Sequence, residues 1–148
     1  MKTELEGRTK DFAVGIARLI RTFPKTVDGI EIGRQLLKAG TSIGANYREA
    51  NRAESKNDFI HKVGIAEKEA AETMYWLEIC EVAPLGNSGD VRMLLKEAGE
   101  LLAILTTIGR KAKGRTSRIS TIIPLFATLV ALHFPLSAFP LSAFHLLP

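Results

Sequence analysis

Two places in this sequence set chemically capable side chains one helical turn apart: Asp58-x-x-His61 and Glu69-x-x-Glu72. On a helix, residues three apart share a face, so either pair could hold a metal or shuttle a proton. A di-iron centre in a helical bundle needs Glu on two helices and Glu-x-x-His on two others. Here His61 is the single histidine before His133, and Glu69-x-x-Glu72 lacks one altogether. Asp58 and His61 read better as a helix start and its surface, so no metal and no cofactor is expected. The one cysteine, Cys80, falls on an apolar helical line, where a small buried hydrophobe is its usual role. No Ser-His-Asp order, Gly-x-Ser-x-Gly elbow or P-loop occurs, so the sequence points away from an enzyme and from a small-molecule substrate.

What must position these residues is helical. Four stretches show 3.6-residue periodicity, separated by turn signals. The first runs roughly over 8–23, on Phe12, Ile16, Leu19, Ile20 and Phe23, and Pro24 closes it. The second begins near Asp28, where Asp28 and Glu31 have capping-box spacing, and runs to about Ala53 on Ile32, Leu36, Ala39, Ile43, Tyr47 and Ala50. Gly40 and Gly44 each cost it about 1 kcal/mol against Ala, which requires another helix packed closely against them. Ser55 and Asp58 cap a third helix reaching about Val82 on Phe59, Val63, Ala66, Ala70, Met74, Leu77 and Cys80. A fourth spans about 90–113 on Val91, Leu94, Leu95, Ala98, Leu101, Leu102, Leu105 and Ile108. Short connections between long helices make neighbours antiparallel, and no segment alternates with period 2. The fold class is therefore all-α: an antiparallel up-down-up-down four-helix bundle over residues 1–113, followed by an irregular apolar tail over 114–148.

Charge is uneven along the chain. The 148 residues carry a net +4 and are 46% hydrophobic and 24% charged. Residues 1–109 hold 15 basic and 16 acidic groups, while 110–118 hold five basic groups and no acid. Residues 119–148 carry no Asp, Glu, Lys or Arg. That stretch is long enough to span a bilayer and follows Arg115 and Arg118 in a positive-inside pattern. Pro124, Pro135 and Pro140 interrupt it, however, and a tandem Phe-Pro-Leu-Ser-Ala pentad begins at Phe134 and again at Phe139. A non-domain extension is expected, not a membrane anchor. With one cysteine and no apolar signal region behind Met1–Asp11, a cytoplasmic protein is expected.

Two faces lie outside the core arcs. On the second helix Arg34 and Arg52 superimpose opposite the core, with Lys38 and Arg48 about 40° to either side, giving a basic stripe about 27 Å long. Together with Arg110, Lys111 and Lys113, these side chains are candidates for contacting RNA phosphates. Gln35, Ser42, Asn46 and Glu49 form a polar ladder between that stripe and the core. On the third helix Ile65, Glu69, Glu72, Trp76 and Ala83 lie off the core line. A Trp beside two carboxylates outside a core suits a subunit contact, in which the amides and hydroxyls of one flank would satisfy the carboxylates of the other.

The order Arg34-Gln-Leu-Leu, Thr41-Ser-Ile-Gly-Ala-Asn46, Glu49-Ala50, Ser55, Asp58-Phe59, Ile65-Ala66, Glu69-Ala70, Glu72 and Tyr75-Trp76-Leu77-Glu78 resembles the four-helix bundle protein family. This is also called the 23S rRNA intervening-sequence protein family, and the likeness covers about residues 8–113. The resemblance implies a bacterial, ring-like homopentamer. It puts Gln35, Ser42, Asn46, Glu49, Glu69, Glu72 and Trp76 at structural or interface positions, and none at a catalytic one. A more distant relative, the accessory variability protein of diversity-generating retroelements, binds a reverse transcriptase and RNA. Two partners are accordingly expected in addition to further copies of the chain: rRNA or another RNA through the basic surfaces, or, alternatively, a protein such as a reverse transcriptase-like enzyme held on an oligomeric scaffold. The uncharged stretch after Arg118 departs from the family pattern.

Overall fold

The computed structural model describes the backbone of residues 2–133 and the side chains of residues 3–114. Four helices follow one another: α1 (Lys2–Ile20), α2 (Val27–Ala50), α3 (Lys56–Val82) and α4 (Ser88–His133). They form the expected all-α four-helix bundle, and no strand occurs among the described residues. The chain divides into two units, Met1–Ala112 and Lys113–Pro148, and everything below concerns the first.

Each of the last three helices starts on a polar cap that accepts from an otherwise unpartnered backbone amide. Ser55 Oγ accepts from the Asp58 amide at 3.1 Å. Asn87 Oδ1 accepts from the amides of Gly89 and Asp90 at 2.9 and 3.1 Å. For α2 the capping residue is Thr26, whose hydroxyl accepts from Gly29 at 3.3 Å, and not Asp28. Asp28 instead lies in the first turn, where the Thr26 hydroxyl and the Gly29 amide hold its carboxyl below the usual range. The sequence places two acceptors two residues apart here, and the extended backbone needed by a cap falls on the earlier one.

The core is the line of apolar residues read from periodicity: Phe12, Ile16 and Leu19 on α1, Leu36 and Ile43 on α2, Val63, Ala66, Ala70 and Leu77 on α3, and Val91, Ala98, Leu101 and Leu105 on α4, all buried. Burying one such large aliphatic side chain contributes about 2 kcal/mol. Gly40 and Gly44 have the neighbour they require: an added Cβ would stand 3.0 Å from Ile16 Cγ1 and 3.1 Å from Thr9 Oγ1, respectively. Thr9 and Thr73 are fully buried, and their hydroxyls donate to the backbone oxygens of Glu6 and Glu69 at 3.1 and 2.7 Å.

Helix ends differ from expectation in four places: α1 ends at Ile20 instead of Phe23 and α2 at Ala50 instead of about Ala53, and two differences are larger. α1 starts at Lys2 instead of near Arg8, because Leu5 and Thr9 extend its buried line by a turn and more. α4 continues to His133 instead of stopping near Lys113. Once formed, a helix gains one hydrogen bond per added residue, and Gly114 alone costs about 1 kcal/mol. The rest of the uncharged stretch, residues 134–148 with the tandem pentad, lies outside the described residues, as does any anchoring role for it.

Candidate nucleic-acid and subunit interfaces

Antiparallel packing gives the bundle two unlike ends. One end gathers the C-terminal part of α1, the N-terminal parts of α2 and α4, and the C-terminal part of α3. The other gathers the N-terminal parts of α1 and α3, the C-terminal part of α2, and α4 from about residue 103 to 112. Three cross-links fix this register. Glu49 of α2 accepts from Lys62 of α3 at 2.5 Å. Thr106 of α4 donates to Glu67 of α3 at 2.8 Å. The Arg8 guanidinium of α1 spans Glu97, at 2.5 and 2.8 Å, and Glu100 of α4. Arg8 is held in its charged form by these two carboxylates, against the opposing effect of burial.

Arg34, Lys38, Arg48 and Arg52 are all exposed, the first three on the side of α2 opposite its core and Arg52 just past its end. Their surroundings are not alike. Arg34 donates to Glu31 at 2.6 and 3.1 Å, and Glu31 also accepts from the Gln35 amide at 2.9 Å. The Arg34 guanidinium lowers the Glu31 carboxyl, with Gln35 second, and Glu31 raises Arg34 in return. Lys38 lies close enough to Glu69 to pull that carboxyl downward, against its burial. Arg48 and Arg52 make no ion pair among the described residues; Arg52 Nη1 donates to the Arg48 carbonyl at 3.2 Å, at the negative end of the helix. Arg110, Lys111 and Lys113 are exposed and likewise without an ion pair among the described residues. The fold brings Arg48, Arg52, Arg110 and Lys111 to one end of the bundle. There, a groove of about 490 Å³ between α1, α2 and α4 is floored by Leu5, Tyr47, Ile104 and Ile108 and edged by Lys111.

The residues read as a subunit contact come together along the outer side of the α2–α3 pair. With Glu49 against Lys62 and the helices antiparallel, Ser42 falls level with Glu69 and Gln35 level with Trp76. Several polar groups there find partners inside the chain. Gln35 serves Glu31, Asn46 Nδ2 donates to the Ser42 carbonyl at 2.9 Å, and Trp76 Nε1 donates to Glu72 at 3.3 Å. Glu69 is the exception in charge terms: desolvation raises its carboxyl first and Glu72 second, with Lys38 opposing. Ile65 and Trp76 are half-buried, and the Trp76 ring meets Tyr75 edge-on at 5.1 Å.

Sequence reading missed one surface feature. Every large hydrophobic side chain left exposed among the described residues lies toward the end opposite the cation cluster: Val14, Val27, Ile30, Leu37, Tyr75, Val82 and Met93. Val27 and Val82 are 88% and 86% exposed, far beyond what a core edge explains. The available signal was a second, outward apolar line of 3–4 spacing on α2 and α3, which a search for one core line per helix passes over.

The residues weighed for chemistry do not converge. His61 is exposed and Asp58 belongs to the Ser55 cap. Burial pushes the Cys80 thiol up to about 11, the opposite of an activated nucleophile. Among the described residues no three His, Cys, Asp or Glu side chains could hold one metal ion, and no helix is long and apolar enough to cross a membrane.

A family model described as 23S rRNA-intervening sequence protein matches residues 2–107. Among solved structures, the chain is similar to a crystal structure of a protein with unknown function from the S23 ribosomal protein family of Bacteroides thetaiotaomicron VPI-5482. The two share 34% identity with a TM-score of 0.64, over 74% of this chain and 99% of the other. No match is found among curated proteins.

Proposed function

Since the chain belongs to the 23S rRNA-intervening sequence protein family, we propose that it is a cytoplasmic, non-enzymatic homo-oligomer, five copies in a ring, that associates with RNA or a ribonucleoprotein. The observation that carries this reading is an end of the bundle that presents exposed cations and, among the described residues, no exposed large hydrophobic side chain. Exposed Arg48, Arg52, Arg110 and Lys111, without ion-pair partners among the described residues, stand at this end. The exposed large hydrophobic side chains gather toward the other end, where Arg18, Arg21, Lys25, Arg92 and Lys96 are exposed as well. Phosphate binding needs accessible cations whose counterions can be released, and the first end supplies them. Apolar exposure of this extent suits contact between protein surfaces, and the second end supplies that. Repetition of the basic end around a closed ring would multiply a modest local charge into a broad surface and add avidity. Arg34 and Lys38 contribute less, because Glu31 and Glu69 sit beside them.

The test is retention on immobilised RNA at increasing salt. Reversal of Arg48, Arg52, Arg110 and Lys111 to Glu should abolish retention while leaving helicity and oligomer mass intact. Retention equal to the parent's would overturn the RNA reading.

A further inference from the structure

Two outward stripes stand apart from the core lines of their own helices. On α2, Val27, Ile30, Arg34, Leu37 and Thr41 follow one another at alternating spacings of three and four, all exposed. On α3, Ile65, Lys68, Glu72, Tyr75, Ile79 and Val82 do the same, with Ile65 and Ile79 half-buried and the others exposed. Alternating three-four spacing is the pattern of a helix that carries a second helix along a seam. The part of α2 from Val27 to Leu37 is about 15 Å long and the part of α3 from Glu72 to Val82 is also about 15 Å, so the two match in length.

We propose that the α3 stripe of one subunit packs along the α2 stripe of the next, so that every contact joins two unlike faces. This rests on the oligomeric reading above and identifies which surfaces meet. Charge selects the pairing. Within these spans α2 carries one charge in its stripe, Arg34, and α3 carries one, Glu72. Around them, α3 and the turn after it hold Glu69, Glu78 and Glu81 with no base between Lys68 and Arg92. Around the α2 stripe lie Lys25 and Lys38 with Asp28 and Glu31. Two α3 stripes laid together would set carboxylates against carboxylates, and two α2 stripes would set Arg34 against Arg34. Laid on each other, the unlike stripes bring Arg34 toward the acidic side and cover Tyr75, Ile79 and Val82 with Val27, Ile30 and Leu37. An interface between unlike faces is heterologous, and it generates a ring when its rotation closes. It leaves Arg48, Arg52, Arg110 and Lys111 outside the seam and accessible.

Mixing two interface variants tests this. Ile30→Asp disables the α2 stripe, and Tyr75→Asp with Val82→Asp disables the α3 stripe; all three positions are exposed, and circular dichroism with melting checks the fold of each variant. Sedimentation should show the parent as an oligomer, each variant as a monomer, and the equimolar mixture at twice the monomer mass, since only one intact pair of unlike faces remains. If the parent is oligomeric but either variant keeps its mass, or the mixture stays monomeric, the seam assignment is wrong while the oligomeric reading stands. A monomeric parent sinks the oligomeric reading itself and the seam with it.

Discussion

Arg34 lies within α2 and Arg52 just past its end at Ala50, and only Arg34 is held by a carboxylate. Glu31 accepts from it one turn away, whereas Arg52 reaches only the Arg48 carbonyl in the last turn of α2. An arginine that already has an anion beside it exchanges one partner for another on meeting a phosphate, while an unpaired one releases bound counterions. The salt dependence of RNA binding should therefore separate the two. Arg52→Gln is expected to reduce the slope of log K against log salt by about 0.7–0.9 for each phosphate it ceases to neutralise. Arg34→Gln should leave the slope within error, and equal effects of the two would show that the Glu31 pair is irrelevant in solution.

The glycines of α2 and α3 make a contrast in stability. At Gly40 a Cβ would meet Ile16 Cγ1 at 3.0 Å and Cγ2 at 3.3 Å, so a branched side chain has to push α1 away. Gly40→Val should cost about 1–3 kcal/mol in urea unfolding. At Gly64 nothing lies within 4 Å, so Gly64→Ala should add up to about 1 kcal/mol through helix propensity alone. Destabilisation at both positions would mean that α3 carries a close neighbour at Gly64, such as another subunit.

Much of this was legible in the sequence. Apolar spacing marked out the four helices and nearly all of their buried positions, because a two-layer helical core leaves one compatible face per helix. The two α2 glycines announced a close helix crossing before any contact was visible. What spacing could not supply was the fate of individual polar groups. Gln35 looks available for another subunit until side-chain geometry shows it bonded to Glu31. Glu49 looks like part of a ladder until the α2–α3 register sets it against Lys62. Nor does a helical wheel say which outward apolar residues remain uncovered, since that depends on how far apart the neighbouring helices stand. Tyr75, Val82 and Ile30 became informative only once their exposure was known.

Glu69 gives a pH signature. Burial and Glu72 raise its carboxyl above the ordinary glutamate value, with Lys38 opposing. A folded-state pKa above the unfolded one favours the protonated form. Its favourable contribution is thus fully present below the unfolded pKa and disappears as pH rises through the folded one. At neutral pH the charged form is therefore a small liability, and Glu69→Gln should raise the melting temperature there. The gain should shrink as pH falls toward the range where the parent's carboxyl is protonated. A gain that is constant from pH 7 to pH 4 would assign the effect to something other than ionisation.

Trp76 and Tyr75 touch edge to face but differ in what lies beneath them. Trp76 is half-buried against the core cluster, while Tyr75 is 56% exposed. Truncating Trp76 should therefore weaken the subunit itself by roughly 3 kcal/mol, at the lower end for a buried aromatic. Truncating Tyr75 should cost the isolated subunit little, because a mostly exposed ring adds little to its packing. In the assembled form the order changes, since an aromatic on the outward stripe becomes central to the seam. Tyr75→Ala is thus expected to shift assembly to at least tenfold higher concentration while the monomer's unfolding midpoint stays within error. The single tryptophan of the chain makes the measurement direct. Its emission should shift to longer wavelength as the parent is diluted and the neighbouring seam opens, and Tyr75→Ala should show the shifted spectrum at concentrations where the parent does not. An unfolding midpoint that falls in step with assembly would make Tyr75 part of the bundle's own packing and remove it from the seam.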